Sequence, residues 1–170
     1  MSGLLGAVLA GGLSSRFGSD KAQALLGDRS LIDHALATLR RYTDDVVVIG
    51  ARAGGLPDMP REGLGPLGGI AAALDHAASR GIRCVLTIGC DMPRVPEGLI
   101  PALLERGPAY CPDAPILGHW SAALGAHLLS HLEVAPDRSV RGWARSVGAL
   151  PIPSPEPLAN VNTVEDLMAL

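Results

Sequence analysis

The alternation of short apolar segments with segments of helical periodicity limits the folds open to this chain more than any other feature. Three continuous apolar runs, at residues 4–10, 46–51 and 84–90, are short and rich in β-branched or small residues, which is typical of buried strands. Helical patterns lie between them, over residues 31–41 and 65–81. Alternating strands and helices predict an α/β domain of three layers, with helices on both faces of a mostly parallel central sheet. Ligands of such sheets bind at the carboxyl ends of the strands.

Local signals mark the ends of both helices. Ser30 is a suitable N-cap, and Arg40 and Arg41 fall where a helix C-terminus favours cations. Pro66 suits the first turn of the second helix, and Gly81 suits the position just after its end. The first half of the chain is therefore predicted to run strand, loop, helix, strand, helix, strand.

The second half is harder to interpret because many prolines divide it into short pieces. The pattern predicts these elements in chain order: a helix at 97–106, a strand at 121–125, helices at 127–133 and 139–147, and a strand at 148–152. Thr163 and Asp166 have the spacing of a capping box before a C-terminal helix.

Composition favours one globular domain over residues 1–170, since 170 residues that are 48% hydrophobic can bury a sizeable core. The net charge of −3 gives no basic field for nucleic acid or anionic lipid. The N-terminal apolar run has no basic n-region and is shorter than a membrane span of roughly 20 residues. We therefore expect a cytoplasmic protein that binds neither nucleic acid nor membrane. Three cysteines without a CxxC pair, Cys84, Cys90 and Cys111, favour reduced structural thiols.

A glycine-rich loop, LAGGLSSRFGSDK at residues 9–21, follows the first predicted strand. Glycines at a strand end let backbone amides approach an anion, and Arg16 and Lys21 supply cations for a triphosphate. The loop lacks the G-x-G-x-x-G spacing of dinucleotide-binding folds and the GK[ST] of a Walker A loop. We interpret it as a phosphate loop of another kind, against the alternative of a tight surface turn with solvated charges.

Asp91 ends the third apolar run in the sequence CDMP, so it is expected at the same sheet edge as the glycine loop. Mg²⁺ is usually held by one or two carboxylates plus substrate oxygens, which makes Asp91 a candidate metal ligand. The alternative is a turn-capping aspartate before Pro93. His127 and His131 are four residues apart on a predicted helix, but they lack the H-E-x-x-H pattern and a third ligand for zinc. Ser14 and Ser15 lack the nucleophile-elbow pattern of a serine hydrolase.

Four segments, LAGGLSSRFGSDKA, GPLGGI, CDMP and NVNTVEDL, resemble in order and spacing those of the molybdenum cofactor guanylyltransferases. The resemblance runs from about residue 5 to the C-terminus. It implies the single Rossmann-like domain of the nucleotide-diphospho-sugar transferase type and transfer of GMP from GTP to molybdopterin, with Mg²⁺ and release of pyrophosphate. It also implies transient contact with molybdoenzymes or with other proteins of molybdenum cofactor biosynthesis.

The resemblance also implies roles for individual residues. The nucleotide-binding positions are Leu9, Ala10, Gly11, Gly12, Lys21, Asp58 and Asp91. The catalytic positions are Arg16, Lys21 and Asp91. Among these, Lys21 resembles the family's phosphate-binding lysine, Asp91 its magnesium ligand, and Asp58 the carboxylate that contacts guanine. Asn160 and Asn162 match the pair on the pterin side of the site.

Two departures from the family pattern concern the base and the pterin. Ala51 stands where many members have asparagine after the second strand, and Trp120 stands where proline is usual; we do not place Trp120 in the site. Two other functions are compatible with the motifs. One is a related nucleotidyltransferase that uses CTP or a sugar-phosphate acceptor, which base choice would distinguish. The other is a non-catalytic nucleotide-binding module, which would keep the glycine loop but would not need Asp91 or the two asparagines.

Overall fold

A computed structural model describes residues 3–11, 18 and 20–170. The strands are β1 (Leu4–Leu9), β2 (Leu25–Leu26), β3 (Arg29–Ser30), β4 (Asp45–Ile49), β5 (Cys84–Gly89), β6 (Ala109–Tyr110), β7 (Gly118–Ser121) and β8 (Leu150–Pro151). The helices are α1 (Leu31–Arg40), α2 (Pro66–Ser79), α3 (Leu99–Glu105), α4 (Gly125–Val134), α5 (Val140–Ser146) and α6 (Val164–Met168). Short 3₁₀ turns span Lys21–Gln23 and Ala122–Leu124.

Six strands form the central sheet in the order β4-β1-β5-β7-β6-β8. β1 pairs in parallel with both β4 and β5, so the carboxyl ends of these three strands meet at one edge. β7 is antiparallel to β5 and to β6, whereas β6 and β8 are parallel. The sheet is mixed but mostly parallel, and the predicted α/β class is confirmed.

Alternate residues of the strands build a core on each face of the sheet. Leu5 and Ala7 of β1 face the helices α2, α4 and α5, where Leu67, Ile70 and Trp143 are fully buried. Val8, on the opposite face of β1, packs into a second core with residues of α1 and α3. The helices therefore cover both faces, as the alternation of strands and helices predicted.

The local signals of the first half work as predicted. The Ser30 hydroxyl caps α1 by accepting a hydrogen bond from the Asp33 amide at 3.2 Å. Pro66 opens α2, and Gly81 lies two residues beyond its end with a φ of 70°, in the left-handed region that favours glycine. Thr163 and Asp166 form both hydrogen bonds of a capping box at the start of α6.

The strand predicted at 121–125 is wrong: β7 ends at Ser121, and Ala122–Leu124 is a 3₁₀ turn. The sequence SAAL lacks the β-branched residues that favour strands, and the Ser121 side chain caps the turn by accepting from the Ala123 amide. The helix predicted at 97–106 begins instead at Leu99, because Gly98 adopts a φ of 84° at its N-cap.

The sequence did not predict the short strands β2, β3 and β6, because each is only two residues long and a segment of that length shows no periodicity. No helix of the described residues is both long enough and apolar enough to cross a membrane. Cys84, Cys90 and Cys111 are free thiols, of which Cys90 and Cys111 are buried.

Candidate functional site

The carboxyl end of β1 lies between the ends of β4 and β5. The Ala10 amide donates to the Ile49 carbonyl of β4 at 2.9 Å, and the Cys90 amide donates to the Leu9 carbonyl at 3.3 Å. A Cβ atom built on Gly11 would lie 3.4 Å from the Gly50 Cα, so the two strand ends touch through glycine backbone. Leu9, Ala10 and Gly11 thus lie at the edge where the sequence predicts nucleotide binding.

Two predicted site residues, Gly12 and Arg16, lie outside the described residues. Their roles remain predictions from the sequence.

Asp91 follows β5 by two residues and turns its carboxylate back over Gly89, where a Cβ atom would collide with Oδ1. Burial raises the pKa of this carboxyl group, while the nearby Lys21 ammonium and the Asp91 amide hydrogen bond lower it. A partly buried carboxylate beside a cation at a strand end is a candidate ligand-binding group.

Lys21 begins a 3₁₀ turn whose N-cap is Asp20, which accepts a hydrogen bond from the Ala22 amide at 3.1 Å. The Lys21 charge acts on two carboxyl groups. It opposes the rise that burial causes in the pKa of Asp91, and it adds to the effect of the backbone hydrogen bonds that lower the pKa of Asp166. The fold therefore brings the loop cation of the sequence prediction to the candidate metal ligand.

The segment that carries Asn160 and Asn162 is hydrogen-bonded to the backbone of Asp91. The Val161 amide donates to the Asp91 carbonyl at 2.8 Å, and the Val161 side chain is fully buried. Asn160 has a buried Oδ1 with no hydrogen-bond partner in the described part of the chain, whereas Asn162 is exposed. The orphaned oxygen is an acceptor that a ligand donor could satisfy.

Asp166 fixes the backbone of the same segment. Its Oδ2 accepts from the amides of Asn162 at 2.8 Å and Thr163 at 2.9 Å. These hydrogen bonds are the main reason why the pKa of Asp166 is lowered.

A small third core connects this segment to the loop that follows Lys21. It contains the buried side chains of Leu31 and Val161, with Ala24, Leu26, Leu167 and Leu170 packed around them. The two parts of the site that carry Lys21 and Asn160 therefore rest on one apolar cluster.

Asp91 follows β5 on one side of β1, and Asp58 lies on the opposite side, next to β4. The Asp58 side chain is located between the Gly11 backbone and the start of α2. Its Oδ1 and Oδ2 would lie 3.7 Å and 3.5 Å from Cβ atoms built on Gly11 and Gly68, respectively. Two backbone contacts hold the Asp58 segment in this position. Leu56 forms an isolated parallel β-bridge with Ile49 of β4, and the Met59 amide donates to the Gly68 carbonyl of α2 at 3.0 Å.

The Asp58 carboxylate is partly buried, and burial together with the charge of Glu62 raises its pKa. Within the described residues no hydrogen bond or ion pair reaches this carboxylate. It is an acceptor-only group that is ready for a ligand with N–H donors.

The structure shows the surroundings of three further residues that the sequence analysis considered, His127, His131 and Trp120. The His127 Nδ1 accepts a hydrogen bond from the Trp143 indole, and the His131 Nε2 contacts the Asp137 carbonyl, so both rings have structural partners. Trp120 is fully buried and donates its indole N–H to the Thr87 hydroxyl at 2.9 Å. Trp120 is therefore a core residue, which agrees with leaving it out of the predicted site.

Sequence reasoning did not place two charged residues, Arg52 and Asp166, near the candidate site. Arg52 pairs with Asp20 at 2.9 Å. Asp166 was recognised as a capping residue, but its position near Lys21 depends on the fold. A pairing between positions 20 and 52 has no local signal, and only the meeting of the ends of β1 and β4 creates it.

Comparison with known proteins places this geometry in a family. The model of the MobA-like NTP transferase domain matches residues 6–151. The molybdenum cofactor guanylyltransferase of Rhizobium leguminosarum bv. trifolii (strain WSM2304) is 34% identical over 98% of this chain and 90% of its own length. The protein of the same name from Rhodobacter capsulatus is 34% identical over 96% of this chain and 93% of its own.

Among solved structures, molybdopterin-guanine dinucleotide biosynthesis protein A from Archaeoglobus fulgidus superposes with a TM-score of 0.74. It is 21% identical and the match covers 97% of this chain and 95% of that one, so it supports the fold. The match over residues 6–151 and the full-length relatives show that this chain belongs to the MobA-like NTP transferase family, the nucleotidyltransferases that include the molybdenum cofactor guanylyltransferases.

Proposed function

We infer that this chain transfers a guanylyl group from GTP to molybdopterin. The names of its full-length relatives support this activity. The observation that carries the inference is the hydrogen bond between the Asp91 carbonyl and the Val161 amide. This hydrogen bond joins the backbone that carries the Asp91 carboxylate to the segment that contains both asparagines, so the groups assigned to the nucleotide and to the second substrate lie on neighbouring strands of backbone.

The reaction forms one P–O bond and breaks another. An oxygen of the terminal phosphate of molybdopterin attacks the α-phosphorus of GTP, the bond from that phosphorus to the β-phosphate bridging oxygen breaks, and pyrophosphate leaves. The attacking phosphate is already ionised at neutral pH, so no general base is needed. Positioning and charge neutralisation are the contributions left to the protein.

Lys21 is the described cation that performs this neutralisation. Its ammonium lies within electrostatic range of Asp91 at the sheet edge, where the phosphates would lie against the backbone of Leu9, Ala10 and Gly11. The sequence predicts Gly12 and Arg16 as further parts of the same phosphate site.

The residues present fit a magnesium ion. Asp91 supplies a hard carboxylate oxygen, and burial raises its pKa, so a bound cation would stabilise the ionised form. The described residues contain no group of three His, Cys, Asp or Glu side chains that could hold a metal. The other ligands would therefore be phosphate oxygens and water, and Mg²⁺ bound there would neutralise phosphate charge.

Base selection is assigned to Asp58. Guanine presents its N1–H and its amino group as two donors on one edge, and an ionised carboxylate can accept both. The Asp58 carboxylate has no hydrogen-bond partner in the part of the chain described here and lies beside Gly11 of the nucleotide-binding backbone. Adenine and cytosine cannot offer that pair of donors.

The acceptor side is assigned to Asn160 and Asn162. The buried Asn160 Oδ1 accepts no hydrogen bond from the described residues, and a pterin ring offers N–H groups. Asn162 is exposed next to it, on a backbone that Asp166 holds in place. The predicted cytoplasmic location and the transient contacts with molybdoenzymes remain predictions from the sequence.

A nucleotide panel tests the proposal directly. Purified protein is titrated with GTP, CTP, ATP and UTP in the presence of Mg²⁺, with thermal stability as the readout, and is then assayed for pyrophosphate release with molybdopterin. We expect stabilisation by GTP above the other three and release of pyrophosphate only with both substrates. Selection of CTP would favour a cytidylyltransferase, and binding of GTP without turnover would favour a non-catalytic binding module.

A further inference from the structure

The ion pair between Arg52 and Asp20 connects the carboxyl end of β4 to the turn that carries Lys21. Nη2 of Arg52 donates to both Asp20 carboxylate oxygens, at 2.9 and 3.1 Å. The Arg52 side chain is 18% exposed and the Asp20 side chain 52%, so the contact is partly shielded from solvent. Two residues that are 32 positions apart are thus fixed beside each other.

Asp20 is also the N-cap of the Lys21 turn. Its Oδ1 accepts from the Ala22 amide at 3.1 Å, and its carbonyl accepts from the Gln23 amide at 3.1 Å. The same carboxylate therefore holds the first turn after Lys21 and receives the Arg52 guanidinium. Movement of Asp20 would displace the backbone from which the Lys21 side chain extends.

Arg52 stands on a firmly bonded loop. Its amide donates to the Gly50 carbonyl at 2.9 Å, and its own carbonyl accepts from the Gly55 amide at 2.9 Å. A Cβ atom on Gly55 would lie 3.0 Å from the Arg52 Cγ, so the stem of the arginine packs closely against this loop. The ion pair therefore connects the Lys21 turn to the hydrogen-bonded loop that follows β4.

We propose that Arg52 is a positioning residue for the guanylyl transfer, and that it acts on Lys21 through Asp20. The proposal rests on the function inferred above only for its kinetic consequence. The Arg52 guanidinium fixes the position of the Lys21 turn relative to the edge of the sheet. The Lys21 ammonium is thereby positioned to contact the phosphates before the nucleotide binds. Displacements of about 1 Å at such a site can cost a hundredfold in rate.

Four variants test the pair: Arg52→Gln, Arg52→Lys, Asp20→Ser and the double variant Arg52→Gln with Asp20→Ser. Serine at position 20 retains an N-cap acceptor, so this variant removes the ion pair and spares the turn. We expect each of Arg52→Gln and Asp20→Ser to lower kcat/KM for GTP by about tenfold. The double variant should be no worse than either single variant, because both remove the same contact.

The kinetic constants separate positioning from direct contact with substrate. Partial rescue of kcat by Arg52→Lys supports the proposal, since lysine preserves the charge pair. A loss in Arg52→Gln that Asp20→Ser does not share, or losses that multiply in the double variant, would mean that Arg52 touches the triphosphate itself. Either result overturns the proposal.

Hydrogen exchange of the ligand-free protein provides a readout that does not depend on the activity. The amides of Gln23 and Ala24, which donate to Asp20 and Lys21, should exchange faster in Arg52→Gln than in the wild type. Arg80→Gln is the matched control, because Arg80 pairs with Asp45 at 3.6 Å on the exposed surface. Unchanged exchange in Arg52→Gln overturns the proposal, whereas failure of the wild type to use GTP refutes only the inferred function.

Discussion

Replacement of Asp58 by alanine is expected to remove guanine selectivity while the chain still binds triphosphates. The structure places the Asp58 carboxylate beside the Gly11 and Gly68 backbone, with no hydrogen-bond donor to it among the described residues. The two guanine donors would therefore form bonds that no described group of the protein replaces. Alanine should lose the guanine contact and leave the phosphate contacts at Lys21 intact.

The magnitude follows from hydrogen bonds to a charged acceptor. Such bonds contribute about 1.5–3 kcal/mol, and the lower end applies here because Asp58 is only partly buried. At 1.4 kcal/mol for each factor of ten, that range corresponds to a loss of GTP affinity of roughly 10- to 140-fold, and we expect Asp58→Ala to fall near the smaller value and to leave ATP binding almost unchanged. Inosine triphosphate, which lacks the amino group, should lose only part of this amount.

Isothermal titration calorimetry of wild type and Asp58→Ala with GTP, ITP and ATP measures these differences. Asp58→Asn is the matched control for shape, because it fills the same space and directs an amide donor or a single neutral acceptor at the base. Equal losses for GTP and ATP, or no loss for either, would refute the reasoning and return Asp58 to a turn residue before Pro60.

The pH dependence of the same preference has a definite sign. Burial and Glu62 raise the pKa of Asp58 above its ordinary value of 3.8 in the free protein, and donors on guanine would lower it in the complex. The ligand therefore binds best to the ionised form. GTP affinity should be full well above the raised pKa and should fall as the pH drops through it, whereas ATP affinity should not show this decline.

Three further predictions concern other residues. Asp91→Asn should lower the rate of pyrophosphate release more than tenfold, a loss of at least about 1.4 kcal/mol of transition-state stabilisation. Because burial raises the pKa of Asp91, ionised Asp91 destabilises the fold increasingly as the pH rises from its ordinary value through the raised one. The same variant should therefore melt at a higher temperature than the wild type at neutral pH, and a lower melting temperature would contradict this reasoning. Lys21→Ala should weaken GTP binding and slow the chemical step together, with poor rescue by arginine, and wild-type rates would place Lys21 outside the site. Trp120→Phe should cost about 1–3 kcal/mol of unfolding free energy, from the lost bond to Thr87 and the lost volume, at unchanged kcat; a fall in kcat without a loss of stability would place Trp120 in the site.

The parts of the fold that sequence reasoning predicted are those with a strong local signal. β1, β4 and β5 are continuous apolar runs, and α1 begins at a serine N-cap that needs no tertiary partner to be recognised. β6, in contrast, is two residues long and exists because β7 and β8 lie on either side of it. Pairings of this kind depend on the assembled sheet, so no pattern within the segment predicts them.

The candidate site also contains some features that the sequence predicts and others that depend on the assembled fold. Lys21 and Asp91 follow predicted strands, and parallel strands end at one edge, so their proximity could be predicted. The contact of Arg52 with Asp20 depends on the path of the loop after β4. The burial of the Asn160 Oδ1 without a hydrogen-bond partner among the described residues is likewise visible only in the assembled structure. Distances of this kind are set by packing, and the sequence carries them only through the complete fold.

The small apolar cluster around Leu31 and Val161 has a consequence for how the site opens. Ala24 and Leu26, from the segment after Lys21, and Leu167, from α6, share this cluster. Local opening of a protein occurs in cooperative units, and segments that pack on one apolar cluster lose the same contacts when either one leaves it. We therefore expect the segments that carry Lys21 and Asn160 to open together, so that a cavity made at Val161 loosens both of them at once.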